Sequence, residues 1–579
     1  METRQHRVDQ ADYRQLLRGR GGPGAVSLLN DGERSWRLLL LRALADATED
    51  TEDPSATALL PPLQDGWRLL TRAWRTAPTE VERLLLYPAV GTWAAHALRR
   101  VRGTASGDSP LWVETGHLHS VAASAAVLAG LDFRTRVPVR DGWAVLPCLG
   151  GARVGPADGP WGAVDVRAGA GVVRVGPVTV EGDGWHALRE LRAGDHALLL
   201  LDDIDPYRGL REPRSPEPVA PDTAARWGEL FADAWQLLNN DPESADAAAT
   251  GLRSVVPRAP SERYRPHSAS SGDAFGAVLA SEPDDAEQFA CTLVHEFQHH
   301  KLGSFMHLFT LYDDGGTERF YAPWRDDPRP LGGLLQGVYA FFGVTRFWRG
   351  RRQLPGDLAE FEFALWREQT LAALRGIRAA ERLTSLGREL VDELTGCLTA
   401  WSEERVSARA GEAAALAAAD HRATWRAYHV RPSADAVARA ARAYGSTGGA
   451  LLVPPSVEDT VVVARTHRGL DTRAVLLRRL LVDGAVTETV EGARPEDLAL
   501  VTGDHDTART RFGDRILHGD GQDPDAWSGL GLALRAQGHP AAEVLLRRPE
   551  FVMAVHTALR HDTEAYPDPV RLADAFSLR

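Results

Sequence analysis

The feature that most constrains this chain is a single change in the period of its apolar residues. Up to about residue 130 they recur at helical spacing, as in "SWRLLLLRALAD" and "GHLHSVAASAAVLAGL". From about 133 to 205 they fall in short β-branched runs broken by glycine: "RVPVRDGWAVLPCLGG", "GAVDVRAGAGVVRVGPVTVEG" and "HALLLLDDIDPYRG". Beyond the four-proline stretch "REPRSPEPVAPD" helical spacing returns, first in Trp227, Leu230, Phe231, Ala234, Trp235 and Leu238. These runs read as one small β-rich module between helical stretches. The expected fold is α+β and mostly helical.

At 579 residues, and roughly 150 residues per domain, the chain has room for about four units. The expected division is a helical region over 1–130, a small β-rich module over 131–210, a central domain over 211–430 and a helical region over 431–579. "DHDTARTRFGDRILHGDGQDPDAWSGLGLALRAQG" in the last region has the pattern of one tetratricopeptide-like helix pair. His117 and His119 are two apart on a helix and so face different ways, which predicts structural roles.

A net charge of −13 argues against nucleic acid or an anionic membrane as the main partner. Cys148, Cys291 and Cys397 are widely spaced, which indicates neither a disulfide framework nor a cysteine zinc site. The N-terminus is polar, and runs such as Leu38 to Leu41 are far too short to span a bilayer. Together these predict a soluble protein of the cytoplasm. Lys301 is the only lysine, every other strong base being arginine.

Within the central domain, "ACTLVHEFQHHKLGSF" contains His295-Glu296-Phe297-Gln298-His299, the pattern H-E-x-x-H. Ser281-Glu282-Pro283-Asp284 reads as a helix start, and the expected helix runs from about 283 to 302 and stops at Gly303. On it His295 and His299 lie about 40° apart and can share one metal ion. Gln288 and Thr292 fall on the same front, whereas Phe289, Ala290, Leu293, Val294 and Phe297 form an apolar back that includes Lys301. A solvated face would account for the polar front but calls for neither the histidine pair nor the glutamate between them.

A metal site needs a further protein ligand. Gly303 and His307 are both displaced from the metzincin offsets, so that pattern fails. Glu318 is a downstream candidate, in a Gly-rich stretch that also suits a surface acid. Gln336, framed by Gly332, Gly333, Ala340 and Gly343 on an expected helix over 331–348, is a candidate ligand or a residue that orients one. In "YAPWRDDPRP" the planar forks of Arg325 and Arg329 suit a carboxylate ligand, or else pair with Asp326 or Asp327 and hold the loop.

"LVHEFQHHKL" followed by "FYAPWRDDPRPLGGLLQGVYAFFGV" resembles the H-E-x-x-H family of ribosomal-peptide-modifying proteins, often found beside radical-SAM maturases. The likeness is specific over 265–350 and looser through "LDDIDPYRG" and "DHRATWRAYHVRP". Members of that family are regarded as iron(II)- and 2-oxoglutarate-dependent peptide β-hydroxylases. The resemblance implies that His295 and His299 bind iron; Arg325 and Arg329 match the family's P-W-R-x-D-P-R-P segment, from which one is inferred to hold the cosubstrate carboxylate, and in an oxygenase Glu296 would orient a ligand or bound water. Where relatives can carry histidine in the "LLQG" segment, this chain has Gln336.

Three functions remain open to the sequence. The first is an oxygenase hydroxylating a side chain of a ribosomal precursor peptide. The second is a zinc metallopeptidase with Glu296 as general base acting on a precursor or leader. The third is a non-catalytic peptide-binding partner in a maturation complex.

Overall fold

Helix starts follow local sequence chemistry. Proline opens Pro23–Thr48, Pro78–Leu85, Pro88–Val101, Pro221–Leu238 and Pro242–Gly251, where its missing N–H is one that the first turn leaves unbonded anyway. The computed structural model describes residues 6–49, 59–155, 159–195, 197–210, 212–353, 355–378, 380–447, 459–486, 489–562 and 567–576. The first five residues of the polar N-terminus and Arg211 of the proline-rich stretch lie outside them. The expected mostly helical α+β composition is found: 58% of the chain is helical, in 21 helices among the described residues, with a β-rich region. Among the described residues no helix is long and apolar enough to cross a membrane.

The chain divides into two compact units, 1–261 with 266–309, and 262–265 with 310–579. In the first, the strands β1 (Phe133–Arg140), β2 (Trp143–Leu146), β3 (Gly150–Arg153), β4 (Trp161–Gly169), β5 (Val172–Val175), β6 (Val178–Thr179) and β7 (Trp185–Ala187) form one antiparallel sheet. Its order is β6-β5-β4-β1-β2-β3-β7. Asp141 and Gly142, with φ of 50° and 78°, close the β1–β2 hairpin in the two-residue turn whose twist matches paired strands. Alternate residues of the strands, among them Val137, Val139, Ala144, Leu146, Val166 and Val175, face the core with Ala123 of the helix Leu111–Leu128.

The β-rich run does not stay in that sheet. β8 (Arg189–Ala193) and β9 (Ala197–Leu201) join β10 (Ser254–Arg258), β11 (Ser268–Ala269) and β12 (Ala277–Ser281) in a second sheet of order β11-β12-β10-β9-β8. β9, β10 and β12 are parallel, and β8 and β11 are antiparallel edges. The helices Pro221–Leu238 and Pro242–Gly251 make the crossover from β9 to β10 that a parallel pair requires. "SSGDAFGAVLAS" becomes a 3₁₀ turn, Gly272–Ala274, and then β12.

In the second unit the long helices Leu331–Arg351, Asp357–Arg378, Ser385–Ser402 and Ala408–His429 precede shorter ones reaching Ala575. His505–His518 and Pro524–Ala536 share one apolar core through Ala508, Phe512, Ile516, Trp527 and Leu530. Arg473, fully buried, donates from Nε to Asp497 at 2.7 Å and from Nη2 to the Asp525 carbonyl at 2.8 Å, and it also pairs with Asp420.

Candidate metal centre

The motif helix is Ala286–Leu308. Asp285, in extended backbone, accepts the Gln288 N–H at 2.8 Å and caps it, so Pro283 lies just before the helix rather than within its first turn. The helix also passes through Gly303, where a stop was expected. Beyond that point Ser304 and Phe305 are buried, and the Ser304 hydroxyl donates to the Leu29 carbonyl at 3.1 Å. Burial of this last turn outweighs the roughly 1 kcal/mol by which glycine disfavours a helix.

Packing closes nearly every face of the helix. Phe289 meets Trp227 and Phe231 edge to face and tilted, at 5.3 and 6.2 Å. Phe297 lies on Gly251, where a Cβ would stand 2.4 Å from its ring. Gln298 Nε2 donates to the Gly19 carbonyl at 3.0 Å, and His300 Nε2 bonds the Ala277 carbonyl at 2.8 Å. Lys301 does not snorkel to solvent: it is 5% exposed and its ammonium donates to the Arg20 carbonyl at 3.2 Å. Thr292, assigned to the polar front by periodicity, is buried. What remains half-open is a stripe through Gln288, Cys291, His295 and His299, with Val294 beside it and the two ends of the helix.

Along that stripe His295 Nε2 and His299 Nε2 are 3.1 Å apart, with the rings at 78°. Such a separation suits one N–H···N bond or two lone pairs turned to a common cation. With metal–nitrogen bonds of about 2.05 Å, a 3.1 Å separation subtends about 98° at the metal, between octahedral and tetrahedral angles. Burial pushes the His295 imidazole down to about 4, His299 adding to the shift and Glu296 opposing it, so the ring is held in the neutral form that metals bind. The pair therefore fits two adjacent positions of a metal's coordination sphere. Among the described residues, no group of three His, Cys, Asp or Glu side chains is assembled to hold a metal ion.

Glu296 is 1% exposed. Its Oε1 accepts the Ser268 hydroxyl at 2.6 Å and stands 3.9 Å from His295 Nε2. Burial by itself would raise its pKa. The charges of the two histidines, if protonated, and the hydroxyls of Ser268 and Ser270 more than offset this and hold the carboxyl below its ordinary range. Oε2 is buried without a hydrogen-bond partner among the described residues. Ser268 reaches Glu296 because the edge strand β11 runs antiparallel to β12, which leads directly into the motif helix. Neither serine was a sequence candidate. The only signal was a hydroxyl-rich run, "SASS", ahead of a strand, and no fixed spacing ties it to the motif.

The other candidates belong to the second unit. Arg325 and Arg329 flank Asp327, their Nε atoms 3.1 and 3.4 Å from its two carboxylate oxygens. Burial and the neighbouring Arg325 lower the Arg329 pKa, against the pull of Asp327. Asp326 turns inward: its carboxylate accepts the Leu470 N–H at 3.1 Å and its carbonyl accepts from His429 Nε2 at 2.7 Å. Trp324 clamps the loop to the helix Leu331–Arg351. Its indole lies where a Cβ on Gly337 would stand, 2.2 Å away, and it stacks on Phe341 at 4.7 Å. Gln336 is half-buried on that helix, and Glu318 is exposed in an irregular stretch.

No family model and no curated protein matches the chain.

Proposed function

We propose that this protein is an iron(II)- and 2-oxoglutarate-dependent oxygenase of the cytoplasm that hydroxylates a side chain, at its β-carbon, of a ribosomally made precursor peptide. The observation that carries the reading is the half-open stripe of the motif helix, on which the Nε2 atoms of two imidazoles stand 3.1 Å apart. Iron(II) with a 2-oxo acid and dioxygen would supply C–H oxidation, yielding succinate, carbon dioxide and an alcohol. His295 and His299 would hold the ion. Glu296, with Oε1 committed to Ser268, would set the orientation of the pair and take no proton from substrate. Arg325 and Arg329 already grip one carboxylate, that of Asp327, and that is the chemistry needed to hold a dicarboxylic cosubstrate. In this reading His505–His518 and Pro524–Ala536 form a tetratricopeptide-like unit that holds the precursor or a radical-SAM maturase.

The second reading, a zinc metallopeptidase, is favoured by Oε2 of Glu296, a buried carboxylate oxygen with no hydrogen-bond partner within bonding geometry among the described residues and of the kind that acts as general base on a bound water. One experiment separates the two. The protein is loaded anaerobically with iron(II) and 2-oxoglutarate, then given dioxygen and the precursor encoded beside it. Succinate and a peptide heavier by one oxygen atom are expected, with product still formed at a reduced rate by Glu296→Gln. Zinc-dependent cleavage abolished by Glu296→Gln, with no succinate, would establish the peptidase instead.

A further inference from the structure

Helix Leu111–Leu128 is buried along almost its whole length, yet it carries Glu114, His117 and Ser120 three residues apart on one face. Glu114 is fully satisfied. It accepts from the Tyr207 hydroxyl at 2.6 Å, from Arg140 Nη2 at 3.1 Å and from the Ser109 hydroxyl. His117 Nε2 and Ser120 Oγ, in residues 4% and 1% exposed, have no hydrogen-bond partner among the described residues. The residues His117 and Ser120 both line a partly open cavity walled by Trp143, Tyr207, Pro206 and Pro216. Its free space is about 330 Å³ counted out to the mouth.

Three properties define what the cavity accepts. It is neutral, because Arg140 is paired with Glu114 and, lying 4.8 Å over the Trp161 ring, forms part of the wall. Its two polar atoms are of mixed character: a neutral imidazole and a hydroxyl can each donate or accept. Burial, then Arg140, holds His117 down at about 3, so the ring stays neutral at physiological pH. Its walls are flat, and the His117 ring is fixed edge-on to Tyr207 at 4.6 Å.

We infer that this cavity is a binding site for a primary carboxamide, whose C=O and NH₂ pair with His117 and Ser120 while its plane lies between the aromatic and proline walls. A carboxylate or an ammonium would meet only a hydroxyl and a neutral imidazole, with no free opposite charge to pair with. An alkyl group would leave both buried polar atoms unpaired. The carboxamide can come from an Asn or Gln side chain of a peptide or from a free small amide.

The test uses the full chain, ligand-observed saturation-transfer NMR, and four probes: propionamide and the N-acetyl N-methylamides of glutamine, glutamate and norleucine. The two primary amides are expected to bind, and Ser120→Ala to weaken them about tenfold, the loss of one hydrogen bond in a buried site. Without probe, Ser120→Ala is expected to melt no lower than wild type, since it removes a hydroxyl that has no partner. Tighter binding of the glutamine probe than of propionamide would identify a peptide side chain, and the reverse a free amide. Equal binding of the norleucine or glutamate probe, no binding of either amide, or amide binding unchanged in Ser120→Ala would overturn the assignment.

Discussion

Replacement of Ser268 by alanine tests how the buried carboxylate of the motif is held. Glu296 is 1% exposed and its Oε1 accepts the Ser268 hydroxyl at 2.6 Å, so water cannot take over when the hydroxyl is lost. A hydrogen bond to a charged group contributes about 1.5–3 kcal/mol, and one between neutral groups about 1 kcal/mol. Ser268→Ala should therefore cost about 1.5–3 kcal/mol in the wild-type background and about 1 kcal/mol in Glu296→Gln, which keeps the acceptor but removes the charge. Urea unfolding of the metal-free single and double variants, followed by circular dichroism, measures the difference. Equal costs in the two backgrounds, within about 0.5 kcal/mol, would refute the reasoning, because the hydroxyl would then not be serving an ionised carboxylate.

Gly251→Ala places a Cβ 2.4 Å from the Phe297 ring, an overpacking expected to cost about 1–3 kcal/mol in chemical denaturation and to weaken metal binding by moving the turn next to Glu296. Arg473→Met leaves Asp420 buried without its cation, while Asp497 keeps Arg468, and should destabilise the second unit by about 3 kcal/mol, read as a fall in its denaturation midpoint. His307 Nδ1 donates to Glu33 at 2.9 Å, and this bond, with the Glu33 charge, raises the His307 pKa above 6.5 against the effect of burial. The stability it contributes is full below the unfolded value of about 6.5 and is lost as pH rises through the higher folded value. Melting curves across that window should lose this component of their pH dependence in Glu33→Gln.

Much of the fold was legible because it rests on local rules. The period change near residue 133 reflects side-chain alternation within a few residues, and the first strand forms where that signal stands. The histidine pair was legible for the same reason: a four-residue separation on any helix brings two side chains to one face. Glu296 was visible as a residue but its partners were not, since Ser268 reaches it from a strand 28 residues earlier. Gly303 was misleading because its intrinsic preference is small beside the burial of Ser304 and Phe305.

The sequence by itself determined element types, the motif helix and the facing of His295 and His299, all of which follow from backbone period and short-range sterics. Only the tertiary structure decided that β8 and β9 leave the first sheet for the second, that Lys301 ends on a backbone carbonyl, and that the histidine face of the helix stays half-open. It also decided that His117, dismissed by its spacing from His119, lines a cavity beside Ser120. These outcomes depend on which distant surfaces are buried together, and burial is a property of the packed chain that no window of neighbouring residues contains.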